Sequence, residues 1–483
     1  MSGDLGRVAL PPRNIEAEQN LLGAMLKSAR CVPAAIESIP AAEFFYDDRH
    51  RLVFATLQDM FRERKGIDLT TAADALRQRK QLEAVGGTLY LTQLMNTVPA
   101  SLNVEEYARI VREKYLLRQL IQVGTDLTAG GFRDSEPPQN LMNAAQKQIC
   151  ELAAAEDGAK LVPAKTLVHR VVDEMESIHK QKGGWRGLRT GFRWLDHHTG
   201  GLKGGDLLIL AARPSMGKTA LALNIATRIA FNRDEQNQEL NAGHDGLPVL
   251  IFSLEMSAES LLQRVICSEA RINWNEFNRG ITDSNAFVRI TDAASLLTQC
   301  ELQINDSSAI TPLEITAQAR RLKTEKKKLG LIVIDYLQQM QADTGGRRGG
   351  PENRQQEIAA ISRQLKGLAR DLDVPVLALS QLSRQVEHRE DKRPGLSDLR
   401  ESGALEQDAD VVLMLYREEY YLKRLNKPVP PEALNTAELI IAKQRNGVAG
   451  INGRLTFYGD YTRFETQENP DEQPGPEAEY VPG

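Results

Sequence analysis

The sequence has little cysteine, and the cysteines it has are scattered. Four occur among 483 residues, and none belongs to a C-x-x-C pair: Cys31, Cys150, Cys267 and Cys300. This spacing argues against a zinc knuckle and against a disulfide framework. We therefore expect reduced thiols that are mostly buried.

The sequence also lacks long apolar runs. The longest, such as Leu207–Ala212 and Val411–Tyr416, have the length of a strand, whereas a membrane helix needs about 20 residues. The first residues, MSGDLGRVALPPRN, show no basic start followed by an apolar stretch, which is the pattern of a secretory signal. We expect a cytoplasmic protein without a membrane span.

An excess of positive charge is absent as well, because the formal net charge is -5. Any contact with nucleic acid must therefore come from local basic loops rather than from the molecule as a whole. The content of 41% hydrophobic and 26% charged residues is that of a globular protein. A chain of 483 residues is too long for one ordinary core, and we expect more than one domain.

The first third of the chain has a helical pattern. Apolar residues such as Leu22, Met25 and Leu26 recur at helix spacing, and strand-like alternation is scarce. We predict an all-α N-terminal domain over residues 1–155. At the other end, residues 466–483 are acidic and rich in proline, which predicts a disordered tail.

A linker is predicted over residues 156–184. The stretch AAAEDGAKLVP is small and polar and ends in proline, which indicates a hinge. An amphipathic helix follows, and its apolar stripe consists of Leu167, Val171, Met175 and Ile178. This stripe can pack on its own domain or on a neighbouring subunit.

From about Trp185 the pattern changes to strands alternating with helices. The predicted strands are Leu207–Leu210, Val249–Ser253, Leu331–Ile334, Val376–Leu379, Val411–Leu415 and Leu439–Ile441. They are short and apolar, as in a parallel sheet that is covered on both faces. We predict an α/β domain with an open sheet over residues 185–465.

The stretch LLILAARPSMGKTALALNIA has the form of a phosphate-binding loop between a strand and a helix. In such a loop, backbone N–H groups and the helix start point at phosphates, the lysine reaches the β- and γ-phosphates, and the hydroxyl binds Mg²⁺. Gly217, Lys218 and Thr219 supply these groups, although Ala212 replaces the usual first glycine. A chance G-K-T at a helix start is the alternative interpretation.

Three further polar residues follow predicted strands. Asp335 ends one strand and suits the Mg²⁺ side of a nucleotide, Glu255 can activate a water, and the uncharged Gln381 can sense the γ-phosphate. In an open α/β sheet, ligands bind at the carboxyl ends of the strands, where all these residues fall. The sequence therefore favours hydrolysis of a nucleoside triphosphate.

The motif set resembles that of the bacterial replicative DNA helicases of the DnaB family. In order, the motifs are ARPSMGKTALALNIA, FSLEMS, IDYLQQM, LSQLSR, RESGALEQDAD and AKQRNG. The stretch LPPRNIEAEQNLLGAML also resembles the start of the helical N-terminal domain of that family. The resemblance covers nearly the whole chain except the acidic tail.

The resemblance implies a RecA-like motor domain that forms a homohexameric ring with ATP at each subunit interface. Such a ring moves 5′-to-3′ on single-stranded DNA and unwinds the duplex at the replication fork. The implied partners are primase, through the N-terminal domain, and a helicase loader or initiator; the implied cofactors are ATP and Mg²⁺.

The resemblance also implies roles for individual residues. Lys218, Thr219 and Asp335 would hold the phosphates and Mg²⁺, with Glu255 as the catalytic base and Gln381 as the sensor. The other implied nucleotide contacts are Ser215, Gly217, Ala220 and Arg264. Arg445, which follows Lys443 and Gln444, resembles an arginine finger that reaches the nucleotide of a neighbouring subunit.

Candidate DNA contacts are basic or small residues of predicted loops. They are Arg400, Glu401 and Gly403 in RESGALEQDAD, Arg347 and Arg348 in a glycine-rich insertion, and Arg384 shortly after Gln381. Each arginine can neutralise a phosphate without reading the base sequence. The alternative is a solvated charged loop, which is a serious rival for Arg347 and Arg348.

Two other functions share a RecA-like motor. A RecA-like recombinase coats DNA as a filament, and a non-unwinding ATPase loader binds partners without separating strands. The long helical N-terminal domain and the linker helix favour a ring over a filament. The primase half of a phage-type primase-helicase is excluded, because its zinc-binding cysteines are absent.

Overall fold

We describe the protein from a computed structural model. The described residues are 10–98, 103–133, 187–234, 236, 238–241, 246–280, 284–340 and 351–467, with isolated helical residues between 138 and 176. The chain divides into two compact units, Met1–Pro163 and Ala164–Gly483, and each is considered by itself. Within the described ranges, no helix combines the length and the apolar character needed to cross a membrane.

The described part of the first unit is helical. It contains α1 (Ile15–Lys27), α2 (Cys31–Ser38), α3 (Asp48–Arg62), α4 (Leu69–Gln78), α5 (Gly87–Thr97) and α6 (Val104–Arg133). The predicted helical residues Leu22, Met25 and Leu26 are buried in its core. At Gly23 a Cβ atom would lie 2.0 Å from the carbonyl oxygen of Leu94, so glycine lets α1 approach α5 closely.

The second unit is built on a nine-stranded sheet with the strand order β3-β2-β4-β5-β1-β6-β7-β8-β9. The strands are β1 (Leu207–Ala212), β2 (Val249–Ser253), β3 (Leu302–Asn305), β4 (Leu331–Asp335), β5 (Val376–Gln381), β6 (Val411–Tyr416), β7 (Thr436–Gln444), β8 (Ile451–Tyr458) and β9 (Arg463–Thr466). The strands from β3 to β6 in this order pair in parallel.

Helices lie between these strands along the chain. They are α7 (Arg193–Thr199), α8 (Lys218–Phe231), α9 (Ala258–Ala270), α10 (Trp274–Asn278), α11 (Ser284–Gln299), α12 (Pro312–Lys326), α13 (Pro351–Leu372), α14 (Gly403–Asp408) and α15 (Glu418–Arg424). The predicted fold class, an all-α N-terminal domain followed by a RecA-like α/β domain, is confirmed.

The sheet differs from the sequence prediction at one end. The strand predicted at Leu439–Ile441 is the longer β7, which pairs antiparallel with β6 and with β8. Three strands, β3, β8 and β9, were not predicted. They are only partly buried and therefore lack the continuous apolar runs of β1 and β6.

The pairing register defines two edges of this sheet. At the carboxyl edge, where the parallel strands end, Ala212 of β1 lies beside Gln381 of β5, and Ser253 of β2 lies beside Asp335 of β4. At the opposite, amino edge, Val411 of β6 pairs with Gln444 of β7.

Some sequence predictions concern residues for which the structure gives little or nothing. The linker residues Leu167, Met175 and Ile178, together with Cys150 and the tail from residue 468, lie outside the described residues, whereas Val171 is helical and 42% exposed. Among the described cysteines, which are free thiols, Cys267 is buried, and Cys31 and Cys300 are half-buried.

Candidate nucleotide-binding site

The phosphate-binding loop connects β1 to α8. Its backbone takes the left-handed conformation at Ser215, with φ 68°, and at Gly217, with φ 98°. A Cβ atom at Gly217 would also lie 2.8 Å from the ring of Phe464. The glycine is needed there, whereas Ala212 is the last residue of an extended strand and accepts a side chain. The missing first glycine therefore leaves the loop geometry intact.

Lys218 and Thr219 begin α8 and face Asp335 at the end of β4. Thr219 Oγ1 donates a hydrogen bond of 2.7 Å to Asp335 Oδ2, and Lys218 Nζ lies 3.7 Å from Asp335 Oδ1. Burial lowers the pKa of Lys218, although the charge of Asp335 opposes this shift. Asp335 Oδ1 is buried and accepts no hydrogen bond from the described residues.

A cleft of about 410 Å³ opens above this loop, and it is within the size range of small-molecule sites. The predicted residues that line it are Ser215, Gly217, Lys218, Thr219, Ala220, Glu255, Arg264 and Gln381. The helix start and the loop N–H groups can bind phosphate, and the cationic side chains can neutralise its charge.

Glu255 and Gln381 line this cleft because the strands that lead to them end at the same edge of the sheet. Glu255 comes two residues after β2, and Gln381 is the last residue of β5. Gln338, which was not among the predicted site residues, connects the ends of β4 and β5. Its Nε2 donates to Ser380 Oγ at 2.8 Å, and its Oε1 accepts from the backbone N–H of Gln381 at 3.3 Å.

Other lining residues were also missed. Arg213, Pro214 and Tyr336 stand next to recognised motif residues, so the motifs themselves could have indicated them. Phe457 belongs to β8, and Thr462 lies between β8 and β9. These two residues reach the cleft because β8 and β9 pair antiparallel, and no local sequence pattern predicts that pairing.

Lys443, Gln444 and Arg445 lie at the amino edge, away from this cleft. Val411, which pairs with Gln444, also lies beside Leu208 of β1, four residues before Ala212. At the rise of a strand, that separation is about 13 Å. The structure therefore does not bring these three residues to the cleft of their own chain.

The amino-edge side chains are held by backbone carbonyls and one carboxylate. Lys443 Nζ donates to the carbonyl oxygens of Glu406, Gln407 and Ala409. Arg445 donates to the Gln407 carbonyl at 2.7 Å and to Asp410 Oδ1 at 3.1 Å.

Gln444 Nε2, on the same edge, donates to the carbonyl oxygen of His198 at 3.0 Å. Burial and the neighbouring charge of Arg445 lower the pKa of Lys443.

The candidate DNA-contact segment is helical, so the predicted loop is wrong there. Residues Leu396–Ser402 form a 3₁₀ helix, which contains Arg400 and Glu401, and Gly403 begins α14. Asp398 stabilises the start of this helix by accepting a hydrogen bond of 2.8 Å from the N–H of Gly395.

The side chains of Arg400 and Glu401, and all of Arg347 and Arg348, lie outside the described residues. Gly403 is exposed, and a Cβ atom added to it would meet nothing within 4 Å. Arg384 is exposed at the start of the 3₁₀ helix Arg384–His388.

Comparison with known proteins places both units in one family of sequences. The model of the DnaB-like helicase C terminal domain matches residues 187–466. The model of the DnaB-like helicase N terminal domain matches residues 10–113.

Curated relatives match along almost the entire chain. The chain is 42% identical to the replicative DNA helicase DnaC of Bacillus subtilis (strain 168), over 96% of this chain and 97% of the relative. It is also 42% identical to the replicative DNA helicase DnaB of Geobacillus stearothermophilus, over 95% of this chain and 96% of the relative.

Solved structures agree with this result. A DnaB-like replicative helicase, described together with its interactions with primase, is 33% identical with a TM-score of 0.70 and covers 94% of this chain and 100% of that chain. The ATPase domain of G40P is 36% identical with a TM-score of 0.55 and covers 65% of this chain and 100% of that chain.

Proposed function

Because the chain belongs to the family of DnaB-like replicative helicases, we propose that it works as a homohexameric ring with ATP bound between subunits. The family makes it an ATP-dependent DNA helicase. In our proposal the ring moves 5′-to-3′ along single-stranded DNA in the cytoplasm and unwinds the duplex at the replication fork.

The carboxyl-edge cleft is proposed as the ATP site. Lys218 and the backbone N–H groups of the loop bind the β- and γ-phosphates. Thr219 and Asp335 would hold Mg²⁺, which supplies positive charge beside the phosphates. The fit of a cation is supported by Asp335 Oδ1, a buried oxygen that no described residue satisfies.

Glu255 and Gln381 are proposed to act on the γ-phosphate side of this cleft, which both residues line. Glu255 is exposed, so its carboxylate can accept a proton from the attacking water. Gln381 reports the γ-phosphate to the segment that follows it. Arg264, from α9, adds positive charge near the phosphates.

The position of Arg445 is the observation that supports a ring of subunits. It lies at the amino edge of the sheet, whereas the cleft opens at the carboxyl edge. An arginine that stabilises the charge of the transition state must lie close to the γ-phosphate. Arg445, with Lys443 and Gln444 beside it, therefore serves the cleft of the next subunit.

Single-stranded DNA is proposed to pass through the ring. The proposed contacts are Arg347, Arg348, Arg384, Arg400, Glu401 and Gly403. The N-terminal unit is proposed to bind primase, and a loader or initiator to place the ring on DNA. The solved relative described with its interactions with primase supports the first of these partners.

A RecA-like recombinase or non-unwinding loader is not favoured, because the relatives matched over nearly the whole chain are replicative helicases.

The proposal is tested by measuring the particle mass and the polarity of unwinding together. With ATP and Mg²⁺, we expect a particle of six 53.7 kDa chains and unwinding of a forked DNA that carries a 5′ single-stranded arm. A matched substrate with only the 3′ arm is the control. A monomer, an open filament, or unwinding that needs only the 3′ arm would contradict the proposal.

A further inference from the structure

Arg213 is a buried member of the phosphate-binding loop, and its side chain bonds to a different part of the chain. Its Nε donates to Glu387 Oε1 at 2.8 Å, and its Nη1 donates to the carbonyl oxygen of Leu382 at 2.8 Å. Arg213 is 9% exposed. The loop is thus anchored to the segment that follows Gln381 at the end of β5.

A backbone bond reinforces this anchor. The N–H of Leu382 donates to the carbonyl oxygen of Ala212 at 3.1 Å, directly before Arg213. Glu387 lies in the 3₁₀ helix Arg384–His388, of which Arg384 is the first residue. A displacement of this short helix therefore changes the position of the carboxylate that holds Arg213.

The same segment is bonded to the helix that contains Arg400. The N–H of Ser383 donates to the carbonyl oxygen of Asp398 at 3.0 Å. The carboxylate of Asp398 pairs with Arg389. Residues 382–402 therefore form one hydrogen-bonded unit that carries two of the candidate DNA contacts and bonds to the phosphate-binding loop through Leu382 and Glu387.

The pair between Arg213 and Glu387 is stronger than a surface ion pair. Burial raises the pKa of Glu387, but the hydrogen bond and charge of Arg213, together with the charges of Arg424 and His388, outweigh burial, and the pKa of Glu387 is lowered. Arg424 approaches the other oxygen only at 3.4 Å and is exposed, so solvent screens its contribution. Loss of the Glu387 charge would remove the carboxylate that pairs with the buried guanidinium of Arg213.

We propose that Glu387 is a positioning residue that couples DNA binding to ATP hydrolysis by holding Arg213 in the phosphate-binding loop. The inference rests on the proposed function, in which Arg384 and Arg400 contact DNA. A DNA phosphate on either arginine displaces the unit of residues 382–402, and the pair with Arg213 transmits this displacement to the loop. Gln381, the proposed nucleotide sensor, directly precedes this unit.

The test compares ATP hydrolysis with and without single-stranded oligo(dT) for the full chain and for Glu387→Gln. We expect the rate with DNA to fall roughly tenfold more than the rate without DNA, so that the stimulation by DNA is reduced by a factor within the usual range of coupling between two sites. The DNA dissociation constant should change little. Glu387→Asp, which keeps the carboxylate, should recover part of the stimulation and remains informative if Glu387→Gln folds poorly.

Glu438→Gln is the matched control. Glu438, on β7, accepts two hydrogen bonds, at 2.7 and 2.8 Å, from Arg393, which belongs to the unit of residues 382–402. It should leave the stimulation intact, because this pair makes no bond to the phosphate-binding loop.

Equal stimulation in wild type and Glu387→Gln, no recovery by Glu387→Asp, or an equal loss in Glu438→Gln would overturn the coupling alone. A wild-type protein that neither binds nor responds to DNA would instead overturn the proposed function.

Discussion

The two edges of the sheet place similar side chains in opposite situations. At the carboxyl edge, Lys218, Glu255 and Gln381 line one cleft. At the amino edge, Lys443 and Arg445 are bonded to carbonyl oxygens and to Asp410. One chain therefore holds both halves of the proposed catalytic site, but at opposite edges of its sheet, so it does not bring them together.

The two lysines make the contrast concrete. Burial lowers the pKa of both Lys218 and Lys443. Lys218 lies beside one carboxylate at an open cleft, so its charge is available to a phosphate. Lys443 gives its three N–H donors to three carbonyl oxygens, and it can reach a phosphate only by releasing them.

The largest effect is expected at the carboxyl edge, from Lys218→Ala. Loss of the cation that faces the phosphates should lower the rate of ATP hydrolysis by on the order of a thousandfold and abolish unwinding. The fold should stay intact, because among the described residues the Lys218 ammonium has one ion pair, at 3.7 Å, and lies 4.7 Å from the centroid of the Tyr336 ring. Steady-state hydrolysis and circular dichroism measure both results, and turnover near wild type would show that the loop is not the ATP site.

A smaller but still large effect is expected at the amino edge from Arg445→Ala. Removal of an arginine finger should slow hydrolysis at saturating ATP by about a thousandfold, the lower end of the range for such residues, with nucleotide binding retained. The decisive measurement mixes Arg445→Ala subunits with Glu255→Ala subunits. Some interfaces then combine an intact cleft with an intact Arg445, and activity should return. Mixed rings no more active than either variant alone would place Arg445 outside the neighbouring site.

The smallest effect on hydrolysis is expected from Lys443→Met. This change removes the donor that bonds the part-buried carbonyl oxygens of Glu406 and Ala409, whereas the Gln407 carbonyl keeps its hydrogen bond from Arg445. We expect a cost of about 1 kcal/mol in the free energy of unfolding. Hydrolysis should fall less than in Arg445→Ala. Urea unfolding followed by tryptophan fluorescence reports on this unit alone, because Trp185, Trp194 and Trp274 all belong to residues 164–483.

Lys218→Met is the control for Lys443→Met, since it removes the other half-buried lysine, whose described contacts include no hydrogen bond to a carbonyl oxygen. It should leave the free energy of unfolding near wild type. If Lys443→Met is as stable as wild type and as inactive as Arg445→Ala, the contrast between the two lysines fails.

Much of the carboxyl edge could be predicted because each motif carries its own local signal. The strand, the loop with Gly217 and the helix start at Lys218 are contiguous in sequence, and Glu255, Asp335 and Gln381 stand at or just past the ends of apolar strands. The rule that ligands bind at the carboxyl ends of parallel strands then grouped them.

Elements without a strong local pattern were predicted less well. The strand at Leu439–Ile441 was expected in a parallel sheet, and the segment at Arg400 was expected as a loop. Strand direction depends on the connection between β6 and β7, and the helix at residues 396–402 depends on Asp398 capping Gly395. Neither is visible in hydrophobic periodicity.

The sequence by itself determined those local conformations of this protein that depend on neighbouring residues. The left-handed turn at Gly217 and the apolar runs of β1 and β6 depend on neighbouring residues, so they can be read from the chain. Only the tertiary structure decided which distant groups meet. Thr219 contacts Asp335 across 116 positions, and Arg213 contacts Glu387 across 174. These contacts follow from strand order and register, which the packing of the whole sheet determines rather than any single segment.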